Sequence, residues 1–316
     1  MVGKTLYIDF DTCVYSSAAQ QQNTRILTLD TISKQEEYFK GKKEFNIWCK
    51  ANDRKQEEFL IQPAPELTGS IEYACKAIKD KFNNILAASG CNDYYVCIQG
   101  TGNFRNDIKS DYVEYKGQRA AKPLLFQECF DYTKRKFGSR CIVTEGMETD
   151  DFVCAKQWES YIFARNANNK EAAPYVIAYV DKDIPANAPG AYLNYYKLED
   201  GVFWVDSRQQ VYNFLHQTLL GDACDNIPGI LKVSEEIRKL YKLRSSGCGV
   251  VAARTILGEG LSVKTMAERV VGAYRSTWEH DWRERLTDNC KFLYLQRYAG
   301  DVFDLDKYFG NMGVVL

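Results

Sequence analysis

Glu148-Thr149-Asp150-Asp151 places three carboxylates within four positions, directly before the apolar run Phe152, Ala155, Trp158, Ile162. That spacing predicts a helix with the acids in its first turn. One acid satisfies the orphan N–H groups of a helix N-terminus and opposes its dipole. Three exceed that need. Like charges this close raise each other's pKa unless a cation neutralises them. A divalent ion such as Mg²⁺, which takes carboxylate oxygens and keeps several waters, would do so. On this stretch alone, a metal site and an over-supplied helix cap are both open.

Other acids also follow apolar runs. Lys4-Thr5-Leu6-Tyr7-Ile8-Asp9-Phe10-Asp11 reads as a short strand ending in acids, and by itself that ending is a turn signal. Tyr175 to Val180 is continuously apolar, as in a parallel strand buried on both faces, and it runs into Asp181-Lys182-Asp183. Further strands are expected at Asp93–Gln99 and Arg140–Thr144, and a hairpin across Glu199-Asp200-Gly201. Amphipathic helices are expected after Ser70, from Pro123 to Phe137, and from Ser207 to Leu219. Strands alternating with helices predict an α/β fold with a central, mostly parallel sheet. Ligands of such sheets bind outside the carboxyl ends of the strands. A turn or a cap explains each acidic group singly, but three of them in one crevice are harder to explain that way.

The polar segment Gly100 to Lys122 carries Arg105, Lys109, Lys116, Arg119 and Lys122 between Phe104, Tyr112 and Tyr115. Cations can meet phosphates and rings can stack on bases, so this pattern suits nucleic acid. An ordinary exposed loop is the alternative. Residues 34 to 59 mix charges with scattered aromatics and read as a solvated, partly helical surface without chemistry. Gly247-Cys248-Gly249 before Val250 is either a tight turn or a phosphate-approaching turn at a helix start. Trp278, Trp282, Phe292, Leu293 and Leu295 are expected in the core of the last helices.

The 316 residues suffice for one large domain or two smaller ones. We expect an α/β core over 1–205 and a helical region over 206–316. Formal net charge is -1, so any basic surface must be local and offset elsewhere. The 11 Cys are odd in number, none forms a C-x-x-C pair, and no signal peptide opens the chain. With only 2 His, a Cys/His zinc site is not expected. Cys75, Cys97 and Cys154 read as small buried hydrophobes in a reducing cytoplasm. No apolar run is long enough to span a bilayer.

Taken together, these residues resemble the 5′-nuclease family: bacteriophage 5′→3′ exonucleases, especially those of T-odd phages, flap endonucleases, and the 5′-nuclease domains of bacterial DNA polymerases. The resemblance spans about Thr5 to Gly258, and the order of the motifs carries it. Tyr7-Ile8-Asp9 is similar to the opening strand. Asn103-Phe104-Arg105 and Glu114-Tyr115-Lys116-Gly117-Gln118-Arg119 resemble the basic arch segment. Glu148-Thr149-Asp150-Asp151, Asp181-Lys182-Asp183 and Gly221-Asp222-Ala223-Cys224-Asp225-Asn226-Ile227-Pro228-Gly229 resemble the acidic motifs. The last leads into a helix–three-turn–helix element ending at Gly247-Cys248-Gly249.

The resemblance implies a Mg²⁺-dependent phosphodiesterase, with Mn²⁺ as a substitute, acting at DNA 5′ ends, nicks or flaps. RNA–DNA hybrids are a further substrate it allows. It implies Asp9, Glu148, Asp150 and Asp151 around one metal, and Asp181, Asp183, Asp222 and Asp225 around outer ones. Lys116 and Arg119 would clamp the scissile phosphate and Tyr115 would stack on the terminal base. Arg105, Lys109, Lys122, Gly247 and Gly249 would contact DNA, with K⁺ at the helix–three-turn–helix. The implied setting is the cytoplasm, that of the host if phage-encoded, in replication, recombination or primer removal beside a polymerase or single-strand binding protein. Two alternatives stand beside it: a structure-specific DNA-binding protein without catalysis, and a PIN-like ribonuclease. Two departures from the family pattern occur. Gln99-Gly100-Thr101-Gly102 has no acid where one is usual, and an insertion separates Gly229 from Gly247.

Overall fold

A computed structural model describes residues 3–117 and 121–316. In chain order they form β1 (Thr5–Asp9), α1 (Asp11–Ala19), β2 (Ile26–Asp30), β3 (Glu36–Phe39), α2 (Lys42–Ala51), β4 (Phe59–Pro63), α3 (Ile71–Ser89), β5 (Asp93–Gln99) and α4 (Phe126–Phe137). There follow β6 (Cys141–Thr144), α5 (Thr149–Asn166), β7 (Tyr175–Tyr179), α6 (Asp183–Asn187), β8 (Gly190–Asn194), β9 (Phe203–Val205) and α7 (Ser207–Leu220). The chain closes with α8 (Glu235–Leu240), α9 (Val250–Leu257), α10 (Val263–Thr277), α11 (Trp282–Leu293) and α12 (Leu305–Gly310).

Contacts divide the chain into two units. The first comprises residues 1–10, 85–120 and 142–316, the second 11–84 and 121–141. The boundary expected at 205/206 falls inside the first unit.

The first unit holds a six-stranded sheet of order β6-β5-β1-β7-β8-β9. β1 pairs in parallel with both β5 and β7, and β7 with β8; β9 returns antiparallel as the expected hairpin. The apolar runs explain the central strands, for Leu6, Ile8, Val96, Ile98, Val176 and Ala178 are fully buried. Alternate residues Tyr7, Cys97, Ile177 and Tyr179 share a core cluster with Val153 and Cys154 of α5. The α/β class with a mostly parallel sheet is therefore as expected.

Helices α7 to α11 enclose a separate core that includes Phe214, Leu219, Ile256, Met266, Tyr274, Leu286 and Leu293. Phe292, Leu293 and Leu295 are buried as expected, whereas Trp278 and Trp282 are only partly so. Tyr112, Val113 and Tyr115 also pack on this core. Rings expected to face nucleic acid are thus partly committed to packing. Among the described residues no helix is long and apolar enough to cross a membrane.

The second unit corrects one expectation. Residues 34 to 59 are partly helical and largely exposed, as expected, but they are not surface alone. They contribute β3 to a small antiparallel sheet of order β3-β2-β4, and α2 packs on it around a shared aromatic core. Phe39, Phe45, Cys49 and Phe59 are buried there, with Trp48 against them. Phe45 meets Phe59 edge-on at 5.2 Å between ring centres. Alternating lysines and glutamates on the outer faces hide this core from a periodicity reading.

Candidate functional site

Asp9 closes β1 and is buried, and its carbonyl accepts a hydrogen bond from the Tyr195 hydroxyl at 3.0 Å. The neighbouring β7 ends at Tyr179, so Asp181 follows just beyond the same edge of the sheet. The acids before and in α5 arise from another connection, between β6 and α5. Carboxylates therefore follow three separate strands of the sheet.

Glu148 holds the N-cap position of α5, but its side chain does not cap the helix. Its carboxylate instead accepts from Tyr115 Oη at 2.7 Å and from Arg105 Nη1 at 3.2 Å, and forms an ion pair with Lys116. Asp151 is buried and takes Arg105 through two parallel hydrogen bonds of 2.5 and 2.8 Å. Its Oδ1 also accepts the Gln296 N–H at 2.8 Å. Arg105 Nη2 donates to the Tyr294 carbonyl at 2.6 Å. Burial alone would push the Arg105 pKa down, but the Asp151 carboxylate more than offsets it and holds it above its usual range.

These contacts correct three expectations. Arg105 is 1% exposed, so it cannot reach DNA; it is the cation of a buried ion pair. Asp151 spends its carboxylate on that pair and on Gln296, not on a metal. Tyr115 is no open stacking platform, because its ring already stacks on Phe292 at 5.0 Å. Lys109 is exposed, beside Ser110 and Lys291 in one cleft. Lys122 belongs to the second unit, its ammonium 4.3 Å from the Phe126 ring centre. Arg119 lies outside the described residues.

A second acidic group comes from the β7–α6 and α7–α8 connections. Asp181 Oδ1 accepts the Asp183 N–H at 2.9 Å, and Asp183 also accepts from the Gln217 amide. Asp222 sits in a turn closed by its own two hydrogen bonds with Ile227, both 2.8 Å. Gly221 and Gly229 make that turn possible, with φ of 76° and 61°. A Cβ on Gly221 would lie 2.3 Å from the Ile227 oxygen, and one on Gly229 would lie 2.4 Å from the Gly221 nitrogen. Lys182 Nζ meets Asp222 Oδ2 at 2.9 Å.

Lys116 joins the two acidic groups. Its ammonium pairs with Glu148 and lies 3.7 Å from Asp225 Oδ2, while its N–H donates to the Asp225 carbonyl at 3.0 Å. The residue adopts a left-handed backbone, φ 56°, which a lysine takes at some cost.

Burial, then the charges of Asp181 and Asp222, raises the Asp183 pKa well above the ordinary carboxylate value. Asp181 moves the same way, through restricted hydration and then Asp222 and Asp225. A carboxylate with a raised folded-state pKa favours the folded protein while protonated. That contribution is lost as pH climbs through the folded pKa. We therefore expect Asp183→Asn to raise the melting temperature in metal-free buffer more at about pH 8 than at about pH 4. Added Mg²⁺ should stabilise the parent chain at the higher pH and the variant much less. Equal melting shifts at both pH values would remove Asp183 as a source of repulsion.

The position after β5 lacks an acid, but the space is filled. A Cβ on Gly100 would lie 2.4 Å from Glu145 Oε1, and Glu145 Oε2 accepts the Thr101 N–H and hydroxyl at 2.9 and 2.6 Å. Sequence reading passed over Glu145, although it follows β6 as the other acids follow their strands. Gly247 and Gly249 lie where the insertion returns. Lys232 bridges to Gly247, Val233 N–H donates to Ser246 O at 2.8 Å, and Cys248 N–H donates to Leu231 O at 2.8 Å.

Among the described residues no three acidic, histidine or cysteine side chains are gathered closely enough to hold an ion as they stand. The donor chemistry still fits a hard divalent cation: carboxylates that repel one another, flanked by lysine ammoniums in two of the gaps.

No family model matches the chain, and no curated protein matches it. Solved structures do. The chain is similar to the 5′-exonuclease of bacteriophage T5 with bound zinc ions, at 12% identity over 92% of this chain and 99% of that one, with a TM-score of 0.37. It is similar as well to the bacteriophage T5 D15 flap endonuclease in complex with DNA and metal ions, at 12% identity over 69% of this chain and 90% of that one, with a TM-score of 0.36.

Proposed function

We propose that this protein is a divalent-metal-dependent nuclease that hydrolyses DNA phosphodiesters at 5′ ends, nicks or flaps. The observation that carries this reading is Lys116 lying between two acidic groups, one on Glu148 and one on Asp225. A centre for phosphoryl chemistry needs carboxylates to draw cations and a cation of its own to meet substrate phosphate.

Asp150, Glu148, Asp181, Asp183, Asp222 and Asp225 would hold Mg²⁺ or Mn²⁺, with Asp9 at the adjoining strand end. When bound, such ions activate a water and offset negative charge on the entering and leaving oxygens. The protein's own part is positioning. Tyr115 and Arg105 fix the Glu148 carboxylate, and Gln217 fixes Asp183. Lys116 turns from Glu148 to a phosphate oxygen once that charge is met, and exposed Lys109 adds to the attraction of the strand. No histidine base is required. A place in phage replication, recombination or primer removal, in the host cytoplasm, accords with this chemistry.

The test is incubation of 5′-labelled blunt, nicked and flapped duplexes with Mg²⁺ or Mn²⁺, followed by sizing of the products. Shortened products that disappear with chelator are expected. A shifted but uncut band at every metal concentration would leave a DNA-binding protein. Preferential cutting of single-stranded RNA would leave a ribonuclease.

A further inference from the structure

The chain after α11 builds a cavity that the nuclease reading does not use. It lies between Trp158 of α5 and residues 294–311, and it measures about 120 Å³. That is several times the roughly 30 Å³ share of one water. Arg297 lines it, with its guanidinium carbon 4.7 Å from the ring centre of Trp158, 5.1 Å from that of Tyr294 and 5.7 Å from that of Tyr308. Rings attract the cation but do not satisfy its N–H donors. Arg297 Nε is buried without a hydrogen-bond partner, and so is Tyr308 Oη in the same cavity. Gln210 and Arg297 stand close to that hydroxyl, but neither meets it with hydrogen-bond geometry. Two orphaned polar atoms lining one cavity call for an occupant.

Both orphaned atoms are donors. A guanidinium N–H can only donate. Burial pushes the Tyr308 pKa up to about 12, so its hydroxyl keeps its proton. Lys307 and Asn311 line the same cavity and bring further N–H groups. The carboxylates there already have donors. Asp301 Oδ2 accepts from Tyr294 Oη at 2.7 Å and from the Arg297 backbone N–H at 3.0 Å, and Asp304 Oδ1 accepts the Lys307 N–H at 2.9 Å. Among the described residues the Arg297 guanidinium forms no ion pair, unlike Arg283 and Arg285 of α11, which pair with Asp306 and Asp281.

We propose that this cavity binds a phosphate group, either free or as the 5′-phosphate of a nucleotide. The Arg297 fork would take two of its oxygens, and Tyr308 Oη would donate to a third. These donors come from two elements, the loop after α11 and helix α12, which suits a tetrahedral anion better than a planar carboxylate. An adjoining groove of about 360 Å³ shares Trp158, Arg297 and Tyr298 with the cavity. Tyr298 is 56% exposed. Its ring and that of Trp158 would meet a base where the phosphate carries one. The proposal does not depend on the nuclease reading.

Inorganic phosphate is titrated into the full chain by calorimetry, with chelator present, beside deoxyadenosine 5′-monophosphate, deoxyadenosine and acetate. Saturable binding of the two phosphates alone is expected. A tighter monophosphate places a base in the groove, and equal affinities make phosphate by itself the ligand. Tyr308→Phe keeps the ring and removes only the orphaned hydroxyl. It should weaken both phosphates by about tenfold or more and leave the melting temperature of the unliganded chain unchanged or higher, since no hydrogen bond is lost. Arg297→Lys, which keeps the charge and loses the fork, should weaken them as well. Lys116→Met should leave both affinities as they are. The proposal is overturned if phosphate does not bind, for water then fills the cavity, or if acetate or deoxyadenosine binds as well as the phosphates. It is overturned too if Tyr308→Phe binds phosphate like the parent, or melts lower, for the hydroxyl then has a partner. Loss of phosphate in Lys116→Met would place the anion at the acidic groups and overturn it likewise.

Discussion

Asp181→Asn and, separately, Asp150→Asn should lower the cleavage rate of a 5′-flapped duplex by about 10³-fold or more, with duplex affinity nearly unchanged. The asparagine at 181 keeps the oxygen that accepts the Asp183 N–H, so the local fold has no reason to change. What disappears is a negative charge. The acidic group then attracts a cation less strongly, and less positive charge stands at the reacting phosphate. The loss should fall on turnover and not on binding, because neither residue is expected to touch the duplex. Single-turnover cleavage beside a band-shift titration separates the two. A variant that cuts at near the parent rate would show that its carboxylate has no part in the reaction.

Arg105→Met should be the most damaging substitution for stability. It leaves Asp151 and much of Glu148 buried without a guanidinium, and it strips a donor from the Tyr294 carbonyl. Breaking a buried pair from one side costs about 3–5 kcal/mol. In a chain of this size that corresponds to a fall in melting temperature of roughly 10 °C. Replacing both partners, Arg105→Met with Asp151→Leu, should recover part of the loss, since Asp151 is then no longer a stranded charge. The recovery stays partial because Asp151 also accepts the Gln296 N–H. A single variant that melts within about 1 °C of the parent would mean the pair contributes nothing net, as exposed pairs often do not.

The positions that sequence could read are those where local chemistry repeats. Apolar runs ending in acids marked β1 and β7, and those strands deliver Asp9 and Asp181 to one edge of the sheet. The hairpin β8–β9 and helices α5 and α7 were legible for the same reason. What stayed hidden depends on partners distant in sequence. Nothing local says that Arg105 will find Asp151, 46 positions on, and so be buried instead of exposed. Tyr115 likewise stacks on Phe292, whose relation to it only the tertiary fold defines. Residues 34 to 59 misled because a small sheet with one buried face needs few apolar positions, and charges crowd the rest.

The place of β1 in the sheet bears on biosynthesis. β1 is flanked by strands ending at Gln99 and Tyr179, both later in the chain. Its backbone groups on one side must wait until β7 has been translated. Nascent chains halted before residue 175 should therefore stay protease-sensitive at their beginning and depend on chaperones. A strand made before both of its partners is among the last to be locked in place.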